Sequence, residues 1–149
     1  MRTDNRLSRM LHVLIHMSKL EGAATSETIA KMLSTNPVVV RRTMAGLREA
    51  GYVTSSKGHN GGWELAVPLE DLTMADIYRA LGSPEMFALG MANDDPKCII
   101  ERSVNARIGD TLAAAEAMIV EQFGSMTLAD LRADFEEGMA AVPAGEFRG

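Results

Sequence analysis

At Gly51 the spacing of apolar residues changes from a helical period to an alternating one, and this switch constrains the fold more than any other feature of the chain. Upstream, three helical segments follow one another. Leu7, Met10, Leu11, Leu14 and Ile15 recur at helical spacing and predict a helix over 4–19 that Gly22 ends. Thr25 is placed to cap a short second helix that carries Ile29, Met32 and Leu33 inward. Asn36 is a good N-cap, and Pro37 suits the first helical position, where its missing N–H costs nothing. A third helix is therefore expected over 37–50, with Gly51 as its stop. Downstream, 52–55 and 63–67 alternate as strands around Gly58-His59-Asn60-Gly61-Gly62, whose Asn-Gly pair is a strong hairpin signal. Three helices and a hairpin within about 65 residues is the order of a winged helix-turn-helix.

The rest of the chain returns to helix. Thr73 and Asp76 form a capping-box pattern that opens a short helix closed by Gly82. Residues 83–97 read as loop. From 97 to 123 one long helix carries Ile100, Val104, Ile108, Leu112, Ala115 and Ile119, and Thr127 caps a last short helix. The predicted fold is mostly α with a small β-hairpin wing (α+β): a winged helix-turn-helix followed by a long C-terminal dimerisation helix. The expected divisions are 1–82 for the DNA-binding domain, 83–137 for the loop, long helix and terminal helix, and 138–149 for a flexible tail.

Net charge is −5, which looks unsuited to nucleic acid until the chain is divided. Residues 1–62 carry +5 and the remainder −10. Charges beyond a Debye length of about 10 Å are largely screened, so a polyphosphate responds to the local field and not to the sum. The basic half is thus expected to face DNA and the acidic half to avoid it. No segment has the roughly 20 apolar residues of a membrane span, and the charged start MRTDNRLSRM does not lead like a secretory signal, so a cytoplasmic protein is expected. The lone cysteine, Cys98, excludes an intramolecular disulfide. No Ser/His/Asp set, phosphate loop or carboxylate pair stands out, so an enzyme is not expected.

The third helix carries the expected DNA contacts. Val40, Met44 and Leu47 share the face that packs inward, which leaves Val38, Arg41 and Arg42 on other faces. An α-helix fits the major groove, where an arginine can fork onto guanine and a valine methyl can touch a thymine methyl. Thr35 and the helix start at Pro37 are placed to meet a phosphate. At the hairpin tip, Lys57, His59 and Asn60 sit among glycines that let the backbone approach the duplex. Trp63 reads as wing-root core.

Residues 47–66, LREAGYVTSSKGHNGGWELA, followed by LTMADIYRALG at 72–82, strongly resemble the Rrf2 family of bacterial winged-helix regulators. The resemblance runs from Arg2 to about Phe135, and its most specific motif is the Gly-x-x-Gly-Gly wing. It implies operator binding by the third helix and wing, with Arg41, Arg42 and Lys57 at DNA-contacting positions. It also implies dimerisation through the long helix, where the apolar stripe of Ile100, Val104, Ile108, Leu112 and Ile119, more than a small domain can cover, is the expected interface. The expected partners are therefore a second copy of the chain and duplex DNA with a pseudo-palindromic operator, and the expected role is repression.

Cluster-binding members of that family place three cysteines at the loop and the start of the long helix. Here the same region offers only Cys98, whereas an iron–sulfur cluster needs about four ligands, mostly thiolates. No cofactor is expected. Cys98, near a helix N-terminus and beside Lys97, is the candidate sensor residue, with Asp94 and Asp95 opposing the thiolate. His12 and His16 have a helical metal-pair spacing, but no third ligand is evident, so no metal site is expected. Two other readings remain open: a winged-helix protein-interaction module, and a regulator that answers a small molecule instead of a thiol signal.

Overall fold

In the computed structural model, which describes residues 3–59, 61–91 and 97–141, the first three helices are α1 (Arg6–Met17), α2 (Ser26–Met32) and α3 (Pro37–Glu49). Their boundaries follow local chemistry. The Thr25 side chain accepts the Thr28 N–H, and Asn36 accepts that of Val39 at 3.1 Å, satisfying donors that a helix start leaves unpaired. Pro37 occupies the first turn of α3, and Gly51 takes the left-handed conformation (φ +82°) just beyond its end. The non-glycine Ser34 (φ +50°) makes the tight turn between α2 and α3.

Strands β1 (Val53–Ser56) and β2 (Gly62–Leu65) pair antiparallel, with Val53 opposite Leu65 and Ser56 opposite Gly62. The pair gains a partner that local pattern did not announce. Ala24 and Trp63 exchange two backbone hydrogen bonds of 2.9 and 2.8 Å, which anchor the wing to the segment before α2. Trp63 is buried, and its Nε1–H donates to Ser26 Oγ at 3.0 Å, so the indole serves as wing-root core. Met10, Leu14, Ile29, Val40, Met44 and Leu47 fill the centre between the three helices.

Beyond a short 3₁₀ turn at Leu69–Asp71 come α4 (Met74–Ala80), the long α5 (Ile99–Gly124) and α6 (Leu128–Ala141). Thr73 and Asp76 close the expected capping box, and Thr127 and Asp130 close a second one. The two capping segments then pair with each other: Met74 N–H donates to the Met126 carbonyl, and Leu128 N–H to that of Leu72 at 2.8 Å. Leu128 is fully buried in the core of the N-terminal module. The boundary drawn at residue 82 therefore divides the chain in order but not in packing. Lys19–Glu136 and Arg132–Glu70 ion pairs further tie α6 to α1 and the 3₁₀ turn.

Two expectations change. The helix expected to be short runs 14 residues and passes through Gly138 to Ala141, so the division at 138 falls inside it. One interior glycine costs a helix only about 1 kcal/mol relative to alanine, and Met139-Ala140-Ala141 are good helix formers. Residues 142–149 lie outside the described residues. The apolar stripe of α5 also divides. A four-residue step advances about 40° beyond a full turn, so an i, i+4, i+8 series winds around the helix. Ile100 and Val104 are exposed (74% and 50%), whereas Ile108, Leu112 and Ile119 are half-buried. Ile119 and Phe123 line a cleft with α1, α4 and the loop that follows α4.

Candidate nucleic-acid interface

The buried Val40, Met44 and Leu47 fix how α3 is rotated. The opposite side consequently presents Val38 (59% exposed), Arg41 and Arg42 outward, as the helical spacing implies. Arg41 leans toward α2, where its Nη2 meets Glu27 Oε1 at 3.3 Å with both side chains more than half exposed. Arg42 borders a shallow groove with Arg6, Val39, Thr43 and Leu81. Pro37 is half-buried at the helix start. Thr35 is half-buried too, and its N–H donates to the Ala30 carbonyl at 2.9 Å. Lys57 and His59 stand exposed at the wing tip, and Asn60 lies outside the described residues.

Three side chains beyond the expected contacts shape this surface. Arg48 donates to Ser55 Oγ at 3.3 Å and stacks 5.7 Å from the Trp63 ring centroid, bracing α3 against the wing. Its position one turn pair after Arg41 on the same face was the available signal. Arg9 donates to the Leu33 carbonyl at the C-terminal end of α2 and holds the helix-turn-helix against α1. Val39 is 42% exposed beside Val38, adding apolar surface at the start of α3. Nothing in the local pattern flagged Glu27, because its partner is 14 residues away.

Cys98 is the N-cap residue of α5 and is exposed. Its sulfur closes no capping hydrogen bond, yet the N–H groups of Glu101 and then Ile100 favour the thiolate and hold the thiol below its ordinary value. The lowering thus comes from the helix start, the first of the two causes expected from the sequence, and not from Lys97; Asp94 and Asp95 lie outside the described residues. On the other side of α4, the Tyr78 hydroxyl donates to the Pro84 carbonyl at 2.7 Å and lies 3.4 Å from Glu116, joining α4, the loop and α5. Burial, then the neighbouring Glu116, push the Tyr78 hydroxyl above its ordinary value.

The Rrf2 family model, described as an iron-dependent transcriptional regulator, matches residues 3–134. The Bacillus subtilis protein YwnA is 29% identical over 128 residues, covering 86% of this chain and 95% of YwnA. Protein rrf2 of Nitratidesulfovibrio vulgaris is 30% identical, covering 89% of this chain and 86% of its own. The solved structure of CymR, the global cysteine regulator of B. subtilis, superposes with a TM-score of 0.59 at 25% identity, over 89% of this chain and 98% of CymR. Helix order, wing and nearly full-length match agree: the chain belongs to the Rrf2 family of DNA-binding, winged helix-turn-helix transcription regulators.

Proposed function

We propose that the chain acts as a homodimer on a pseudo-palindromic operator and represses transcription by occupying it. Binding, and not catalysis, is its work, carried out in the cytoplasm where the DNA lies; among the described residues no helix is long and apolar enough to cross a membrane. The observation that supports this reading best is the outward presentation of Val38, Arg41 and Arg42 on a helix whose other side is locked into the core. Arg41 and Arg42 read base edges, Val38 meets a thymine methyl, and Thr35 with the start of α3 at Pro37 meets a phosphate. Lys57, His59 and Asn60 of the wing follow the flanking backbone and minor groove. The dimer forms along α5, through Ile100 and Val104 with Ile108, Leu112 and Ile119 contributing where they remain accessible. It sets two recognition helices about one DNA turn, or a multiple, apart.

A selection of random duplexes on the full chain, followed by titration of the enriched sequence against salt, tests this. Affinity should fall steeply with salt as phosphates are neutralised. Arg42→Ala should cost about 1–3 kcal/mol and relax sequence preference, while Lys57→Ala should weaken binding evenly across sequences. Salt-independent binding, or no enriched duplex, would sink the reading.

The donor set does not fit an iron–sulfur cluster, since one exposed cysteine stands where about four ligands are needed, so we propose regulation without one. The signal enters at Cys98, whose thiolate-favouring place at the start of α5 exposes it to oxidants or electrophiles. Operator binding by wild type and Cys98→Ser, with and without peroxide, separates the possibilities: an equal response in both rejects the thiol. A cleft of about 700 Å³ lined by Leu7, Tyr78, Met86, Phe87, Ile119 and Phe123 supports a second reading, in which a small molecule between the wing module and α5 is the effector.

A further inference from the structure

The face of α1 opposite its buried residues carries His12, which is exposed, and His16, which is half-buried. They are one helical turn apart, and their Nε2 atoms lie 2.9 Å from each other. Their rings meet edge to face at 4.6 Å between centroids, so the two nitrogens converge while the rings do not stack. Two nitrogens bound to one metal at about 2.0–2.1 Å and about 90° apart lie about 2.9 Å from each other. A tetrahedral angle would require about 3.3 Å. From this convergence we propose that His12 and His16 form a two-point chelate for a tetragonal, imidazole-preferring divalent cation, cupric ion above all, with water completing its shell.

Three observations favour the assignment. Square-planar or tetragonal sites built from nitrogen and oxygen suit Cu(II) or Ni(II), and Cu(II) stands highest in the general affinity order. The pair is open to solvent on the His12 side, so an ion has an entry path and room for water ligands. Coordination needs both Nε2 atoms directed at one point, and their 2.9 Å separation places them so. Among the described residues no third His, Cys, Asp or Glu joins the pair, which makes it an exchangeable site and not a structural cage. A hydrogen bond between the two imidazoles accounts for the same distance without metal, and the experiment separates the two.

Cupric ion alone is titrated into the full-length Cys98→Ser chain, whose missing thiol can neither bind nor reduce it. Binding is followed by calorimetry, by nitrogen coupling in the electron paramagnetic resonance spectrum, and by thermal unfolding. The expected result is one ion per chain, coupling from two imidazole nitrogens, and a raised unfolding temperature, because the ion clips residues i and i+4 of α1. His12→Ala and His16→Ala should each weaken binding by about tenfold or more and remove the thermal gain. Unchanged affinity in His12→Ala, or coupling from a single nitrogen in the parent, overturns the proposal. If His16→Ala unfolds, His12→Ala at the exposed position decides alone.

Discussion

Replacing Gly62 by alanine probes why the wing ends in two glycines. Gly62 has φ +144°, and an added Cβ would lie 2.5 Å from the Ala24 carbonyl oxygen and 2.8 Å from its carbon. Both atoms are backbone, so no flexible side chain can yield. The backbone conformation alone costs an L-residue about 1–3 kcal/mol. Relieving the overlap means separating Ala24 from Trp63, whose two hydrogen bonds are worth about 1 kcal/mol each. We expect Gly62→Ala to destabilise the fold by about 3 kcal/mol, near the upper end for single substitutions. Urea unfolding followed by Trp63 fluorescence measures this: with a slope of about 1–3 kcal/mol per molar, the midpoint should fall by about 1–3 M at unchanged slope. Gly58→Ala is the comparison, since φ is +95° there but an added Cβ meets open space. It should cost only about 1 kcal/mol. Equal midpoints for the two variants would refute the close-approach argument.

Glu27→Gln frees Arg41 and removes an acid beside the DNA-facing helix; because the pair is exposed and worth about 0.2–1 kcal/mol, operator affinity at low salt should rise a few-fold at most, read by fluorescence anisotropy. His16 binds its proton less tightly in the folded chain than at its ordinary value of 6.5, so the unfolded chain takes up more protons in acid. Stability should therefore be full above about pH 6.5, fall as pH drops below it toward the lowered folded value, and fall less in His16→Gln when unfolding is compared across that window. Charge at the exposed half of α5 should prevent assembly: Ile100→Glu with Val104→Glu should give monomers by light scattering at micromolar concentration with the fold retained by circular dichroism, and an unaltered dimer would place the interface elsewhere.

The elements of this chain were legible because their signals are local. Thr25, Asn36, Thr73 and Thr127 each cap a helix through a donor no more than three residues ahead, and Gly51 and Gly82 stop helices through their own φ. The face of α3 that points outward followed from three apolar residues at helical spacing, so Val38, Arg41 and Arg42 could be named without coordinates. On α5 the four-residue repeat that looks continuous in sequence rotates steadily around the helix, so Ile100 and Val104 stand exposed while Ile108, Leu112 and Ile119 are half-buried.

The amino-acid sequence alone determined the order of helices and wing, their limits to within a few residues, the basic character of the DNA-facing half and the poverty of thiol ligands. Each of these rests on chemistry within a turn of helix or hairpin, or on simple counts. Tertiary structure decided what no neighbour in sequence can encode. It brought Ala24 to Trp63, paired the capping segments of α4 and α6, sank Leu128 into the N-terminal core and turned Ile119 toward a cleft. It also set Glu27 against Arg41 and chose the rotamers that bring two histidine nitrogens together. Those outcomes depend on packing between segments far apart in the chain, where burial and mutual fit override any local preference.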